Sequence, residues 1–187
     1  GFIGYHLAKK CLKKNWTETS FSLSRPKKIR KIKKIEYKIC DISNLKELHK
    51  KTKKYNFDYV VNLGGHVNHK DKIKTLYSHF YGVKNLYEVL KDKKIIKFIQ
   101  VGSSSEYGKL KSPHLEKKKG NPKLIYGISK LKASNFLLNM YKKNKFPVNI
   151  LRFYQLFGPN QDDNRFLPQL INTSLKKKIF LTSSGEQ

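Results

Sequence analysis

Apolar positions along the chain change period repeatedly, from the alternating or continuous spacing of strands to the three-and-four spacing of helices. A helical pattern near residues 5 to 15 gives way to a strand at 19 to 24 and a second at 35 to 40. A helix at 44 to 54 follows, with Ser43 or Asn44 placed to cap its first turn. The apolar runs at 58 to 63 and 95 to 102 read as buried strands, with a long helix between them at about 72 to 91. A helix at 123 to 144, a strand at 147 to 153 and a helix near 165 to 177 complete the series. Strands alternating with helices predict an α/β fold, a parallel sheet covered on both faces. The basic stretch from Pro26 to Lys34, just after the strand at 19 to 24, is the segment this pattern marks as a mobile loop.

Within the helix at 123 to 144, Tyr126 and Lys130 lie four residues apart and share one face. A free tyrosine ionises near pH ~10, and bringing a phenol into use near pH ~7 takes about 4 kcal/mol of preferential stabilisation of the phenolate, part of which a nearby cation supplies. A phenol so placed serves as a general acid or base, and a serine hydroxyl can hold the reacting oxygen. Ser103, Ser104 and Ser105 offer such hydroxyls after the apolar run at 95 to 102. In a chain this rich in lysine and tyrosine the same spacing also describes an amphipathic helix with an exposed lysine. At the other end, Gly1-Phe2-Ile3-Gly4 leads into an apolar helical pattern. Glycines at a helix start let a diphosphate approach the free backbone N–H groups there.

Further segments fall in order between these two. They are Asp41-Ile42 after Glu36-Tyr37-Lys38-Ile39-Cys40, then Val60-Val61-Asn62-Leu63-Gly64-Gly65, then Val101-Gly102-Ser103-Ser104-Ser105-Glu106-Tyr107-Gly108. Leu151-Arg152-Phe153-Tyr154-Gln155-Leu156-Phe157-Gly158-Pro159 and Ser184-Gly185-Glu186-Gln187 close the series. Together they resemble the extended short-chain dehydrogenase/reductase family, the NAD(P)-dependent epimerases, dehydratases and reductases of nucleotide sugars, over nearly all of the chain. The resemblance implies a Rossmann-like doubly wound parallel sheet. It assigns Gly1, Phe2, Ile3, Gly4, Asp41, Ile42, Leu63, Gly64 and Gly65 to the cofactor. Counting back five places from Gly108 gives Ser103 as catalytic, with Ser104 as runner-up, beside Tyr126 and Lys130, which also meet the cofactor. Ser104, Ser105, Gln155 and Arg165 fall to the substrate. The family's first strand would precede Gly1 and most of its substrate lobe would follow Gln187. Residues 1–160 are thus expected to be an incomplete NAD(P)-binding domain, and 161–187 the start of a truncated substrate-binding lobe.

Departures from the family pattern narrow the chemistry. The family's sugar 4,6-dehydratases carry acidic residues right after the catalytic threonine, where this chain has Ser104 and Ser105, with Glu106 one place late. Elimination is therefore disfavoured, and hydride transfer at a sugar carbon, C4 foremost, is expected, either as reduction or as epimerisation. A 4,6-dehydratase and a non-catalytic NADP(H)-binding sensor or scaffold are the alternatives. The strand at 19 to 24, the family's second, runs into Leu23-Ser24-Arg25-Pro26 with no acid, so Arg25 suits a 2'-phosphate and NADP is favoured over NAD, although a lysine-rich chain places basic residues everywhere. Gln155 stands where many members have Asn. His79 stands where Asn is common, and reads equally as an ordinary helix-face histidine. Arg165, after Asp162-Asp163-Asn164, is either a phosphate contact or part of a solvated loop. His66 and His69 lack a third ligand in sequence, and no metal is expected.

A formal charge of +28 would ordinarily suggest nucleic acid or an anionic membrane. Only four of the 41 basic residues are arginines, the side chain that nucleic-acid readers favour for bidentate contacts, and the lysines scatter over many faces. No specific nucleic-acid role is expected; a nucleotide sugar is the expected partner, drawn modestly by the basic surface. Cys11 and Cys40 form no disulfide framework, which points to a reducing, cytoplasmic setting, and no apolar run reaches membrane-spanning length. A homodimer is expected of the full-length form.

Overall fold

The computed structural model describes residues 1–180 and 182; the segment Ser184 to Gln187, the last part of the family-like series, lies outside the described residues. Strands and helices alternate as the apolar pattern predicts. Helix α1 (Phe2–Lys13) precedes strand β1 (Thr19–Ser22) and strand β2 (Glu36–Ile39), and α2 (Leu45–Thr52) leads to β3 (Tyr59–Asn62). Helices α3 (Lys72–Leu76) and α4 (Gly82–Leu90) are joined by a π-helical turn at Tyr77–Tyr81. Strand β4 (Lys97–Ser103), helix α5 (Ile125–Asn144), β5 (Val148–Phe153) and α6 (Phe166–Leu175) follow. All strand pairs are parallel. β1 pairs with β2, and the other strands form a sheet of order β3-β4-β5, with Val61 opposite Ile99 and Val101 opposite Leu151.

Residues 17–25 and 34–154 form one compact unit. Its core joins Phe98 and Ile95 to Val83, Leu86 and Leu90 of α4, Ala133 and Leu137 of α5, and Leu48 of α2. The α4 residues recur at three- and four-residue intervals, so one helical stripe meets the sheet. Each large apolar side chain buried in this way is worth about 1.5–3 kcal/mol. β4 is the middle strand and is buried along nearly its whole length, which is why its sequence is a continuous run rather than an alternation. Its buried mid-strand polar residue, Gln100, is satisfied by its register partner: the Asn62 side-chain amide donates to Gln100 Oε1 at 2.9 Å, and Gln100 Nε2 donates to the Val101 carbonyl at 3.0 Å. Of the two residues offered as the α2 cap, Asn44 is the one that serves, accepting from the Glu47 backbone at 3.1 Å.

The second unit comprises residues 1–16, 26–33 and the described residues from 155 onward. Its basic stretch differs from the expected mobile loop. Lys28–Arg30 forms a 3-10 turn, and Arg30 is buried, donating twice to the Asn160 carbonyl (2.7 and 3.1 Å) and once to Asp162. Lys27 reaches the same carboxylate at 2.6 Å. A carboxylate accepting from two cations pins this segment from outside its own sequence neighbourhood, which local composition does not reveal.

Candidate active site

Three features hold Tyr126 and Lys130 against the end of β4. The first is Gly127: a Cβ there would lie 2.5 Å from the Ser105 carbonyl, so only glycine lets the start of α5 approach the serine turn this closely. The second is Lys130, 5% exposed, whose Nζ donates to the Val101 carbonyl of β4 at 2.7 Å. The third is the small buried stripe Ser129, Ala133 and Ser134, which lets helix and strand backbones come together. Burial lowers the Lys130 ammonium from its ordinary value to about 8, while the charge of Glu106 pushes it back upward. The Lys130 nitrogen lies 5.9 Å from the centroid of the half-buried Tyr126 ring, so the expected pair does share one volume.

Ser103 ends β4 at 8% exposure. Its Oγ accepts from the Ser105 N–H at 3.1 Å, and its own N–H donates to Glu106 Oε1 at 2.9 Å. This reciprocal capping box opens the turn at Ser104–Glu106 and leaves the Ser103 hydroxyl proton available to donate elsewhere. Ser104 is half-buried and Ser105 exposed on the same turn.

Two further groups surround this site beyond the residues assigned to catalysis, cofactor and substrate. Glu106, fully buried, also accepts from Ser134 Oγ at 2.8 Å and from Arg152 Nε at 2.9 Å. The Ser-x-x-Glu spacing was the available signal, since it is the sequence form of a capping box. Glu106 therefore does not enter the pocket as a spare acid. The other group surrounds Tyr126: His69 stacks on its ring at 4.1 Å between centroids, and His79 meets it edge-on at 5.1 Å. His79 sits in the π-helical turn at 5% exposure, with Nε2 3.1 Å from the His66 carbonyl. Burial, then the charge of Lys130, lowers the imidazole to about 4, so the ring is neutral at neutral pH.

The residues assigned to the cofactor fall in both units. In the larger unit, Asp41 Oδ1 accepts from the Ser43 backbone and hydroxyl in a tight turn after β2. Ile42 packs beside Gly64 and Gly82, and Leu63, Gly64 and Gly65 follow β3, both glycines exposed. Arg25 is exposed beyond β1. A nicotinamide dinucleotide fits this end of the unit on one internal observation: the buried nitrogens His66 Nε2 and His79 Nδ1 have no hydrogen-bond partner, so polar atoms there await one. In the smaller unit, Gly1 caps α1 without a side-chain hydrogen bond, the first turn carries no acid, and the space a Cβ of Gly1 would take is open. That donor set fits a diphosphate. A concavity of about 320 Å³ lies alongside, lined by Phe2, Ile3, His6, Leu156 and Phe157 among others. Gln155 and Arg165, expected at the substrate, are both exposed in this unit. Among the described residues no group of three side chains is arranged to hold a metal ion, and no helix is long and apolar enough to cross a membrane.

Comparison with known proteins gives concordant results. The family model described as the NAD dependent epimerase/dehydratase family matches residues 1–187. A dTDP-D-glucose 4,6-dehydratase of Dictyostelium discoideum is 30% identical over 213 residues, covering 95% of this chain and 47% of its own length. The chain thus spans about half the length of that relative. Among solved structures, a UDP-glucose 4-epimerase from Thermotoga maritima with UDP-glucose superposes with a TM-score of 0.90 at 19% identity, over 100% of this chain and 64% of its own, a likeness of fold. A UDP-glucuronic acid 4-epimerase from Bacillus cereus in complex with NAD superposes at 0.80 with 26% identity, over 95% and 61% respectively.

Proposed function

This chain belongs to the NAD dependent epimerase/dehydratase family and has its Rossmann-like fold, and from that premise we propose that the whole protein transfers hydride at a carbon of a nucleotide-diphosphate sugar, C4 foremost. The observation that carries this reading is the docking of Tyr126 and Lys130, one turn apart, onto the strand that ends in Ser103, through the 2.7 Å bond from Lys130 to Val101. Tyr126 exchanges a proton with the sugar hydroxyl or carbonyl oxygen. The Lys130 ammonium stabilises the phenolate, and the Ser103 hydroxyl donates to the same oxygen. A nicotinamide cofactor supplies the hydride acceptor or donor when bound. Asp41, Ile42, Leu63, Gly64 and Gly65 would hold it in the larger unit, and the start of α1, Gly1 to Gly4, offers a diphosphate cradle in the smaller. NADP over NAD remains our preference, supported by exposed Arg25 and by the absence of an acid after β1. The relative from Bacillus cereus holds NAD, and a comparison of the two cofactors in turnover decides between them.

A 4,6-dehydratase is the second reading, favoured by the name of the Dictyostelium relative. Against it stands the commitment of Glu106 to Ser103, Ser134 and Arg152, which leaves no acid on the serine turn for elimination. Residues 1–160 are proposed as the cofactor-binding domain and 161–187 as the start of a substrate lobe, in a cytoplasmic homodimer. Tyr126→Phe in the whole protein should lower turnover by about a thousandfold or more while leaving cofactor affinity near wild type, because it removes one proton and little volume. Retained turnover on a panel of nucleotide sugars and their 4-keto forms would overturn the assignment.

A further inference from the structure

We propose that Glu106 is a positioning residue for both ends of the reacting group: it fixes Ser103 through the backbone, and its buried negative charge keeps Lys130 an ammonium. The proposal rests on the reading of Tyr126 and Lys130 as the acid/base pair.

The geometry has three independent parts. One carboxylate oxygen accepts the Ser103 N–H at 2.9 Å, setting where β4 ends and where the hydroxyl points. The other accepts from Ser134 Oγ at 2.8 Å and from Arg152 Nε at 2.9 Å. Ser134 lies four residues after Lys130, on the same face of α5, so the carboxylate sits under the face that carries the lysine. The chain has also made room for it. A Cβ on Gly102 would lie 2.4 Å from Glu106 Oε1, and one on Gly120 would strike the Glu106 carbonyl at 1.9 Å. A group used only to cap a three-residue turn would not need full burial or an arginine partner.

Charge completes the case. Lys130 is buried with one carbonyl partner, and its position disfavours the ammonium that the phenolate requires. Glu106 is the acid that opposes this. The other titratable groups facing Lys130 are Tyr126 on its own helix and His79 of the π-helical turn, and His79 is neutral there, with His66 and His69 beyond it. Arg152, on β5, faces Glu106 itself, and its guanidinium lies 4.9 Å from the Tyr107 ring centroid.

The test compares Glu106→Gln with wild type in the whole protein. Lys130 is followed by a 13C-lysine NMR titration, its signal assigned by loss in Lys130→Met, and by the alkaline limb of kcat/KM against pH. Removing the charge should move both downward by about one pH unit, the scale on which a near charge acts. In kcat and KM the loss should fall mainly on kcat, and Glu106→Asp should restore part of the limb. If Glu106→Gln does not fold, Glu106→Gln with Arg152→Gln removes the unpaired guanidinium and carries the same test. An unshifted Lys130 titration in a folded variant overturns the proposal. A shifted titration with an unmoved activity limb supports the link from Glu106 to Lys130 and overturns the proposed reaction roles instead.

Discussion

Two buried polar clusters pack on α5 near Lys130, and they differ in how fully they are satisfied. Around Glu106 every carboxylate contact is made: Ser103, Ser134 and Arg152 all donate to it within 2.9 Å. Around Tyr126, the histidine cluster leaves His66 Nε2 and His79 Nδ1 buried without partners. Buried polar groups in folded proteins are nearly always paired, so a saturated cluster reads as scaffold and an unsaturated one as a surface completed by ligand or water. The proposed site therefore has a rigid side, set by β4 and β5, and an adaptable side, set by the loop after β3 and the π-helical turn.

The largest expected effect strikes the saturated side. Arg152→Met should destabilise the fold by about 3–5 kcal/mol, because it leaves Glu106 buried without its cation. Denaturant midpoints measure this, and adding Glu106→Gln to the same chain should recover most of the loss, since the pair then departs together. A loss below about 1 kcal/mol for Arg152→Met would place the pair among exposed ion pairs and remove the contrast.

A smaller effect belongs to the unsaturated side, and it depends on pH. The folded His79 titrates at about 4 against an ordinary 6.5, so between these values the unfolded chain binds the extra proton and the folded one does not. The stability that neutral His79 contributes is whole above pH 6.5 and is lost as pH falls toward 4, amounting to about 3 kcal/mol at the acid end. His79→Asn should flatten that part of the stability profile. If wild type and variant lose stability in parallel from pH 6.5 to 4, His79 is not the buried neutral ring described.

Much of this was legible in sequence. Element order and type follow from apolar periodicity, and the ends of α2, α5 and β4 fall within a few residues of expectation. That Tyr126 and Lys130 share one helix face was legible because a four-residue helical spacing survives folding unchanged. What was hidden depends on pairings distant in sequence. Arg30 finds Asn160, and Arg152 finds Glu106, across 130 and 46 residues, and no local pattern announces either. The π-helical turn was hidden for another reason: the buried residues Thr75, His79 and Val83 recur four residues apart, as on an uninterrupted α-helix, so the sequence reads as one continuous helix.

The sharpest comparison uses the same substitution on both sides. A Cβ at Gly102 would lie 2.4 Å from Glu106 Oε1, and one at Gly65 would lie 1.9 Å from His79 Cε1, so by contact distance alone Gly65→Ala is the worse clash. The satisfaction argument predicts the reverse order. Glu106 is held by three donors and cannot yield without uncapping Ser103, so Gly102→Ala should cost about 3 kcal/mol, the upper part of the range for overpacking. His79 gives up its bond to the His66 carbonyl and its edge contact with Tyr126 if its ring swings toward solvent, and Gly65 itself sits at φ 159°, which a Cβ strains, so Gly65→Ala should cost about 2 kcal/mol. The displaced ring would then titrate as a solvated histidine, and Gly65→Ala should also erase the acid-side loss ascribed to His79. Gly65→Ala proving the more damaging of the two, with its acid profile intact, would mean that both sides are equally rigid.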